Sequence, residues 1–198
     1  MSTATRVVLL QHPREARLAI CSAWLTRLAL ENAELHRGLA FERDAGVMEQ
    51  ASRPGAALLY PGPDATPIAQ LCAEPPPVLI VLDGTWLQAE KMLAANPKVA
   101  SLRRVSFGPT PPSGYRQLRR EPAPHCLSTL EAVATALTDL EGRPERFAPM
   151  RAAFERMVEL QLACSRDGRR SPRHRMSRCD RQLACSAGAS ACTRGRAA

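Results

Sequence analysis

The sequence predicts an α/β domain built on a mostly parallel sheet. Short, apolar, β-branched segments alternate with longer segments whose apolar residues recur at helical spacing, a pattern typical of strand–helix–strand units. Residues 78–82 are apolar without interruption, as expected of a strand covered on both faces. With 198 residues, 45% of them hydrophobic, the chain suffices for one substantial domain.

The first half of the chain contains three predicted strands. The first occupies residues 7–11, and a helix follows to about residue 32, because Pro13 suits a first helical turn and apolar residues then recur every three or four positions. A second strand is expected at 33–39, followed by a polar stretch to which no element is assigned. The third, at 56–60, ends in a stiff Pro-Gly-Pro loop.

The second half continues the alternation. The strand at 78–82 precedes a helix at 85–95, which ends at Asn96 and Pro97. A short strand is expected at 104–107, and further helices at 128–140 and 146–164.

Residues 108–126 form a predicted loop that contains five prolines and two glycines. It is too long for an ordinary connection, and long ordered loops are usually functional.

Positive charge is concentrated at one end of the sequence. The formal net charge is +8, of which residues 165–198 carry +7 through nine arginines and two aspartates. This segment is rich in Arg, Ser, Gly and Ala without periodicity, so we expect a disordered tail that adds salt-sensitive affinity for RNA. The preceding residues 1–164 carry only +1.

The cysteines favour a reducing compartment. Their number is odd, seven, and no C-x-x-C pair occurs, so neither a disulfide framework nor a zinc site is expected. The sequence has no apolar stretch of eighteen residues and no charged segment leading into an apolar leader. We therefore expect a cytoplasmic protein without membrane association.

The polar segment Asp83-Gly84-Thr85-Trp86 follows the apolar run directly. Open α/β sheets bind ligands outside the carboxyl ends of their strands, so the carboxylate is a candidate base, ligand-holding group or helix cap. Trp86 suits stacking on a nucleobase or packing in the core. Thr85 and Gln88 also have the spacing of a capping box, which helices without function share.

Five separated segments carry a resemblance in order and spacing. They are Gln11-His12-Pro13-Arg14-Glu15, Leu59-Tyr60-Pro61-Gly62, Leu82-Asp83-Gly84-Thr85-Trp86, Tyr115-Arg116 and Leu127-Ser128-Thr129-Leu130-Glu131-Ala132. Together they resemble the signatures of the DTW-domain family, the tRNA-uridine aminocarboxypropyltransferases. The resemblance covers residues 6–164.

This resemblance implies a fold and an activity. The fold is a single SPOUT-like α/β domain over residues 1–164 with a C-terminal trefoil knot, a topology that folding rules treat as exceptional. The co-substrate is S-adenosyl-L-methionine and the partner is tRNA. The reaction transfers the 3-amino-3-carboxypropyl group to N3 of a uridine and releases methylthioadenosine.

The same resemblance implies site residues. Asp83 and Trp86 are the expected catalytic residues; Asp83 is either the base for the N3 proton or the charge that holds the sulfonium or amino group, and both roles stay open. Contacts with RNA are expected from His12, Tyr115 and Arg116. Contacts with the co-substrate are expected from the second, third and last segments: Leu59, Tyr60, Pro61, Gly62, Leu82, Asp83, Gly84, Thr85, Ser128, Thr129 and Glu131. Ser128 and Glu131 also fit a capping box.

Two departures from the family pattern bear on function. Members often carry a cysteine-rich zinc segment before the first strand, which this sequence lacks, so zinc is not expected. Members commonly have Asn-Thr-Ala in the first helix, where this sequence has Cys21-Ser22-Ala23. A thiol cannot replace an amide as a two-sided hydrogen-bonding group. Two alternatives to the transferase stay open: an RNA methyltransferase of the same fold, and a non-catalytic RNA-binding protein, which the departure at Cys21 supports.

Overall fold

The computed structural model describes residues 1–18, 21–108 and 127–166, and its strands form one parallel sheet. The strand order is β2-β1-β5-β3-β6-β4, with every pairing parallel. The strands are β1 (Arg6–Gln11), β2 (Ala33–Arg37), β3 (Ala57–Leu59), β4 (Thr66–Pro67), β5 (Val78–Asp83) and β6 (Arg103–Ser106).

The described residues also contain six α-helices and two short 3-10 turns, of which the last two helices follow the final strand. The 3-10 turns are Glu15–Arg17 and Ile68–Leu71. The helices are α1 (Ser22–Ala29), α2 (Ala45–Ala51), α3 (Trp86–Ala94), α4 (Pro97–Ala100), α5 (Thr129–Glu141) and α6 (Pro144–Arg166).

Side chains of the central strands point alternately to the two faces of the sheet, and a hydrophobic core lies on each face. Val7 and Leu9 of β1 pack on one face, with side chains from α1, α5 and α6. Val8 and Leu10 pack on the other face, with side chains from α2, α3 and α4. Successive side chains of a strand point to opposite faces, and helices cover both, which explains the uninterrupted apolar sequence of β1 and β5.

The prediction of a mostly parallel α/β domain is confirmed. The SPOUT-like fold and the knot stay predictions, because residues 109–126, between β6 and α5, lie outside the described part. The expected boundary after residue 164 falls inside α6, which continues to Arg166, and the predicted tail beyond it lies outside the described residues.

Several elements differ from the sequence prediction, and neither α4 nor the 3-10 turn Ile68–Leu71 was predicted. The single helix expected up to residue 32 is a 3-10 turn followed by α1, since Leu18 is extended (ψ 140°) and Cys21 caps the start of α1. The unassigned polar stretch contains α2, whose Val47 and Ala51 are buried. The two-residue strand β4 was not predicted, because its Thr-Pro sequence carries no apolar periodicity.

Candidate functional site

A cavity of about 570 Å³ lies at the carboxyl edge of β3, β5 and β6. This is the edge where parallel sheets bind ligands. The first turns of α3 and α5 flank the cavity, through Trp86 and Thr129 respectively. Its lining is mostly apolar: Leu59, Tyr60, Pro61, Val81, Leu82, Gly84, Trp86, Ala89, Val105, Ser106, Phe107, Gly108, Leu127, Thr129 and Ala132.

Two aromatic side chains form part of the cavity wall. The rings of Tyr60 and Trp86 meet edge to face, with centroids 5.7 Å apart. Trp86 is 41% exposed, so the interpretation of this residue as a core tryptophan is wrong. A half-exposed indole beside a phenol offers a flat surface to a planar ligand.

Arg104 lies behind this aromatic wall. Its guanidinium carbon is 5.5 Å from the centroid of the Tyr60 ring, within cation–π range. A Cβ at Gly62 would come within 3.3 Å of the Arg104 Nη1 atom. The absence of a side chain at Gly62 therefore leaves room for the guanidinium.

Asp83 ends β5, and each of its carboxylate oxygens accepts a side-chain hydrogen bond. Gln11 Nε2 donates to Oδ2 at 2.8 Å, and Thr129 Oγ1 donates to Oδ1 at 2.5 Å. Asp83 is only 7% exposed and is not among the described residues that line the cavity, whereas its partner Thr129 is. The carboxylate therefore lies one hydrogen bond behind the cavity wall.

Strand register brings Gln11 and Asp83 together. They are directly paired at the ends of the parallel neighbours β1 and β5. In each strand the residues two and four positions earlier are apolar and are buried on the face covered by α1 and α5. Because every second side chain of a strand points to the same face, Gln11 and Asp83 also point to that face. The fold thus buries two polar side chains where the helices begin.

Both helices that flank the cavity start with a complete capping box. Thr85 and Gln88 form it at α3, and Ser128 and Glu131 form it at α5. The capping boxes predicted from the sequence are confirmed. Helix N-termini carry partial positive charge, so two of them at one cavity favour a ligand with a negative group.

Cys21 is the N-cap of α1 and is hydrogen-bonded to Gln11, the partner of Asp83. Its Sγ accepts from the Trp24 backbone N–H at 3.4 Å and from Gln11 Nε2 at 3.0 Å. Burial raises the pKa of the thiol and the charge of Asp83 adds to that rise, while both hydrogen bonds oppose it. Cys21 therefore supplies a weak neutral cap where the family commonly has Asn.

His12 is buried in the turn after β1. Its ring Nδ1 accepts from the Arg14 backbone N–H at 3.1 Å, and its own backbone N–H donates to the Asp83 carbonyl at 2.9 Å. With 8% of its surface exposed, His12 shapes the loop beside Asp83. Its contact with RNA stays a prediction.

The structure brings together three of the five predicted segments at this cavity. Of the predicted co-substrate residues, the lining includes Leu59, Tyr60, Pro61, Leu82, Gly84 and Thr129, while Gly62, Asp83, Thr85, Ser128 and Glu131 are adjacent in sequence or hydrogen-bonded. Tyr115 and Arg116 lie outside the described residues. Assigned roles for all of these remain predictions.

Sequence reasoning missed a role for Gln11. The available signal was the same one that identified Asp83, namely a polar residue that ends an apolar strand. Arg104 was also missed, because an arginine in a short strand has no motif of its own.

The described residues contain neither a candidate metal site nor a candidate membrane span. No group of three or more His, Cys, Asp or Glu side chains could hold a metal ion. None of the helices described is both long enough and apolar enough to cross a membrane.

The fold is a parallel α/β domain with a cavity at the carboxyl edge of its sheet, which is where such domains bind their ligands. Residues 1–162 match the DTW domain. The chain belongs to the DTW-domain family, and the resemblance found in its motifs is confirmed.

Several curated relatives share the name tRNA-uridine aminocarboxypropyltransferase 2. The chain is 33% identical to the Drosophila melanogaster protein over 81% of this chain and 66% of the relative. It is 29% identical to the Mus musculus protein over 71% of this chain and 49% of the relative. The Arabidopsis thaliana tRNA-uridine aminocarboxypropyltransferase A is 26% identical over 80% of this chain and 72% of the relative.

The chain thus spans about half to two thirds of the length of its animal relatives. No solved structure matches it significantly.

Proposed function

We propose that this protein transfers the 3-amino-3-carboxypropyl group of S-adenosyl-L-methionine to N3 of a uridine in tRNA. A bond forms between N3 and Cγ, the bond from Cγ to sulfur breaks, and the N3 proton passes to solvent water. Methylthioadenosine leaves with the electron pair of the broken bond. The cytoplasm is the proposed location of this activity.

The observation that carries this proposal is the convergence of three family segments on one cavity. Leu59-Tyr60-Pro61, Leu82-Asp83-Gly84 and the Thr129 turn come from β3, β5 and α5, far apart in sequence. The names of the relatives give the activity that such a site would perform.

The chemistry of the cavity fits the proposed co-substrate. Tyr60 and Trp86 offer aromatic surface for adenine. The starts of α3 and α5 suit the amino-acid carboxylate. When bound, S-adenosyl-L-methionine supplies an electrophilic Cγ beside its sulfonium, and the buried carboxylate of Asp83 suits that positive charge.

The position of Asp83 favours its electrostatic role over direct proton abstraction. Its carboxylate lies behind Thr129 and accepts hydrogen bonds on both oxygens. Such bonds stabilise the ionised form, and a buried charge in a low-dielectric site attracts a cation strongly. Asp83 thus orients the Thr129 hydroxyl and places negative charge near the wall of the cavity.

The exposed start of α3 is the proposed approach for RNA. Trp86 is 41% and Leu87 is 62% exposed there, and both Arg14 and Lys91 lie close enough to lower the pKa of His12. The two cations suit phosphates, while Trp86 suits a base taken out of its stack.

Nucleoside mass spectrometry tests the proposal. Purified protein is incubated with unmodified tRNA and S-adenosyl-L-methionine, and the tRNA is then digested. A uridine that gains a 3-amino-3-carboxypropyl group, with equimolar methylthioadenosine, is the expected result.

Two other outcomes would favour the alternatives. Gain of a methyl group, with S-adenosylhomocysteine, would identify an RNA methyltransferase. Binding of tRNA without any product or any binding of S-adenosyl-L-methionine would identify a non-catalytic RNA-binding protein, the alternative raised by Cys21.

A further inference from the structure

Gln11 is a fully buried polar residue that the proposed chemistry does not otherwise use. Its side chain is 0% exposed, and its Oε1 has no hydrogen-bond partner. Its Nε2 donates to Asp83 Oδ2 at 2.8 Å and to Cys21 Sγ at 3.0 Å. An unpaired buried acceptor is destabilising, so the orientation of this amide needs a physical reason.

The negative charge of Asp83 supplies that reason. If the amide were rotated by a half turn, Oε1 would face the Asp83 carboxylate, and two acceptors would repel each other at hydrogen-bond distance. The observed orientation leaves Oε1 unpaired but gives the carboxylate a donor. Hydrogen bonds to an ionised acceptor are roughly twice as strong as neutral ones.

Gln11 and Thr129 hold the carboxylate from two elements. Gln11 is at the end of β1, and Thr129 is in the first turn of α5. Each donates to a different oxygen. Together they hold the Asp83 side chain from two sides, and hydrogen bonds to a carboxylate favour its ionised form.

We infer that Gln11 is a positioning residue, whose amide keeps Asp83 ionised and aligned with Thr129 for binding the cationic co-substrate and for transfer. This inference rests on the proposed function. The family signature at residues 11–15 would then contribute to the site through its first residue.

Gln11→Glu is the most informative substitution. At low pH its carboxyl group is protonated and donates to Asp83 in place of the amide, whereas at higher pH two adjacent carboxylates repel and titrate as a coupled pair. Transfer and binding of S-adenosyl-L-methionine should therefore fall steeply as pH rises in this variant only. Gln11→Met, which removes the donor at similar volume, should lower kcat/KM at least about tenfold at every pH.

Other ionisable groups near this pair must be considered in the pH profile. Burial raises the pKa of the Cys21 thiol, while Arg37 opposes that rise. Burial and nearby cations lower the pKa of His12. All three residues are the same in every variant, so a profile that changes only in Gln11→Glu belongs to the new carboxyl pair.

Gln50 provides a matched control. It is also buried, at 6% exposure, and its Oε1 also lacks a partner, but it lies in α2 on the opposite core. Gln50→Glu should reproduce any loss of stability that comes simply from burying an extra carboxyl group. It should leave the pH profiles of transfer and of co-substrate binding as in the wild type. A Gln11→Glu profile that coincides with that of Gln50→Glu would overturn the inference.

A double-mutant cycle makes the outcome independent of transfer. The stabilities of Gln11→Met, Asp83→Asn and the double variant are measured by urea unfolding, and non-additive losses are expected because the residues are in contact. Additive losses would refute the inference even in an inactive protein. Absence of product from the wild type would instead reject the proposed function, while the cycle and the pH dependence of co-substrate binding would still decide the role of Gln11.

Discussion

At the scale of single residues, Asp83 combines a proposed functional role with a structural one. The carboxylate belongs to the buried interior, because Asp83 is only 7% exposed and accepts hydrogen bonds from Gln11 and Thr129. Strand register across β1 and β5 accounts for this burial. Effects on activity and on stability must therefore be measured separately.

Asp83→Asn should abolish transfer and weaken binding of S-adenosyl-L-methionine, because the negative charge is lost. Asp83→Ala should in addition lower the free energy of unfolding by about 1–3 kcal/mol, because the buried Gln11 amide and the half-buried Thr129 hydroxyl lose their acceptor. Turnover assays and urea unfolding measure the two effects. Near-normal turnover in well-folded Asp83→Asn would reject an essential role for the charge.

His12 should make stability depend on pH. Burial and the charge of Arg14 lower its pKa from 6.5, with Lys91 adding to them and Glu15 opposing. The unfolded chain therefore binds this proton first, so stability should fall as pH decreases below 6.5 and through the lower folded-state pKa. His12→Asn keeps an acceptor for the Arg14 N–H without titrating, and urea unfolding from pH 7.5 to 5 should show a smaller loss in that variant.

At the scale of elements, Asn96 connects the end of α3 to the loop between β2 and α2, which is distant in sequence. Its Oδ1 accepts from the Phe41 backbone N–H at 2.5 Å, and its Nδ2 donates to the carbonyls of Leu39 and Met92 at 2.8 and 2.6 Å. The sequence identified Asn96 only as the end of α3. In the structure it also holds the loop between β2 and α2 against that end.

Asn96→Ala should be among the most destabilising polar substitutions in the described part of the chain. It leaves one buried N–H and two carbonyls without these partners, which predicts a loss of about 2–4 kcal/mol in urea unfolding. The matched control is Ser101→Ala, because the exposed Ser101 hydroxyl donates to a single local carbonyl. Equal losses in the two variants would contradict the bridging role.

Elements were predictable where local signals sufficed. The strands β1 and β5 are continuous apolar runs, and α3 and α5 begin with capping boxes whose spacing is visible in the sequence. The helix α2 was missed although Asp44 caps it by accepting from the Val47 N–H, because its seven residues span too few turns for a clear period.

At the scale of the whole molecule, sequence predicted the layers but not the strand order. Insertion of β5 between β1 and β3 results from long-range pairing, which local propensity does not encode. That order pairs Gln11 with Asp83 and brings the ends of β3, β5 and β6 to one cavity. Motif residues were therefore identifiable, whereas the partners that hold them were not.

The charge distribution gives a prediction for the full chain. Residues 167–198 contain eight arginines and two aspartates, and the described lining of the cavity comes entirely from residues 59–132. Truncation after Arg166 should therefore weaken tRNA binding and leave binding of S-adenosyl-L-methionine unchanged.

Salt titration distinguishes charge from other contributions of this segment. Affinity for nucleic acid falls with salt in proportion to the number of phosphates contacted, by about 0.7–0.9 in log–log slope per contact. The truncated protein should give a flatter slope, and the full chain with those eight arginines changed to glutamine should give the same flatter slope because it keeps the length and loses the charge. An unchanged slope in both variants would show that RNA is bound by the remaining domain alone, and Arg14 and Lys91, the cations near His12, would be the next residues to test.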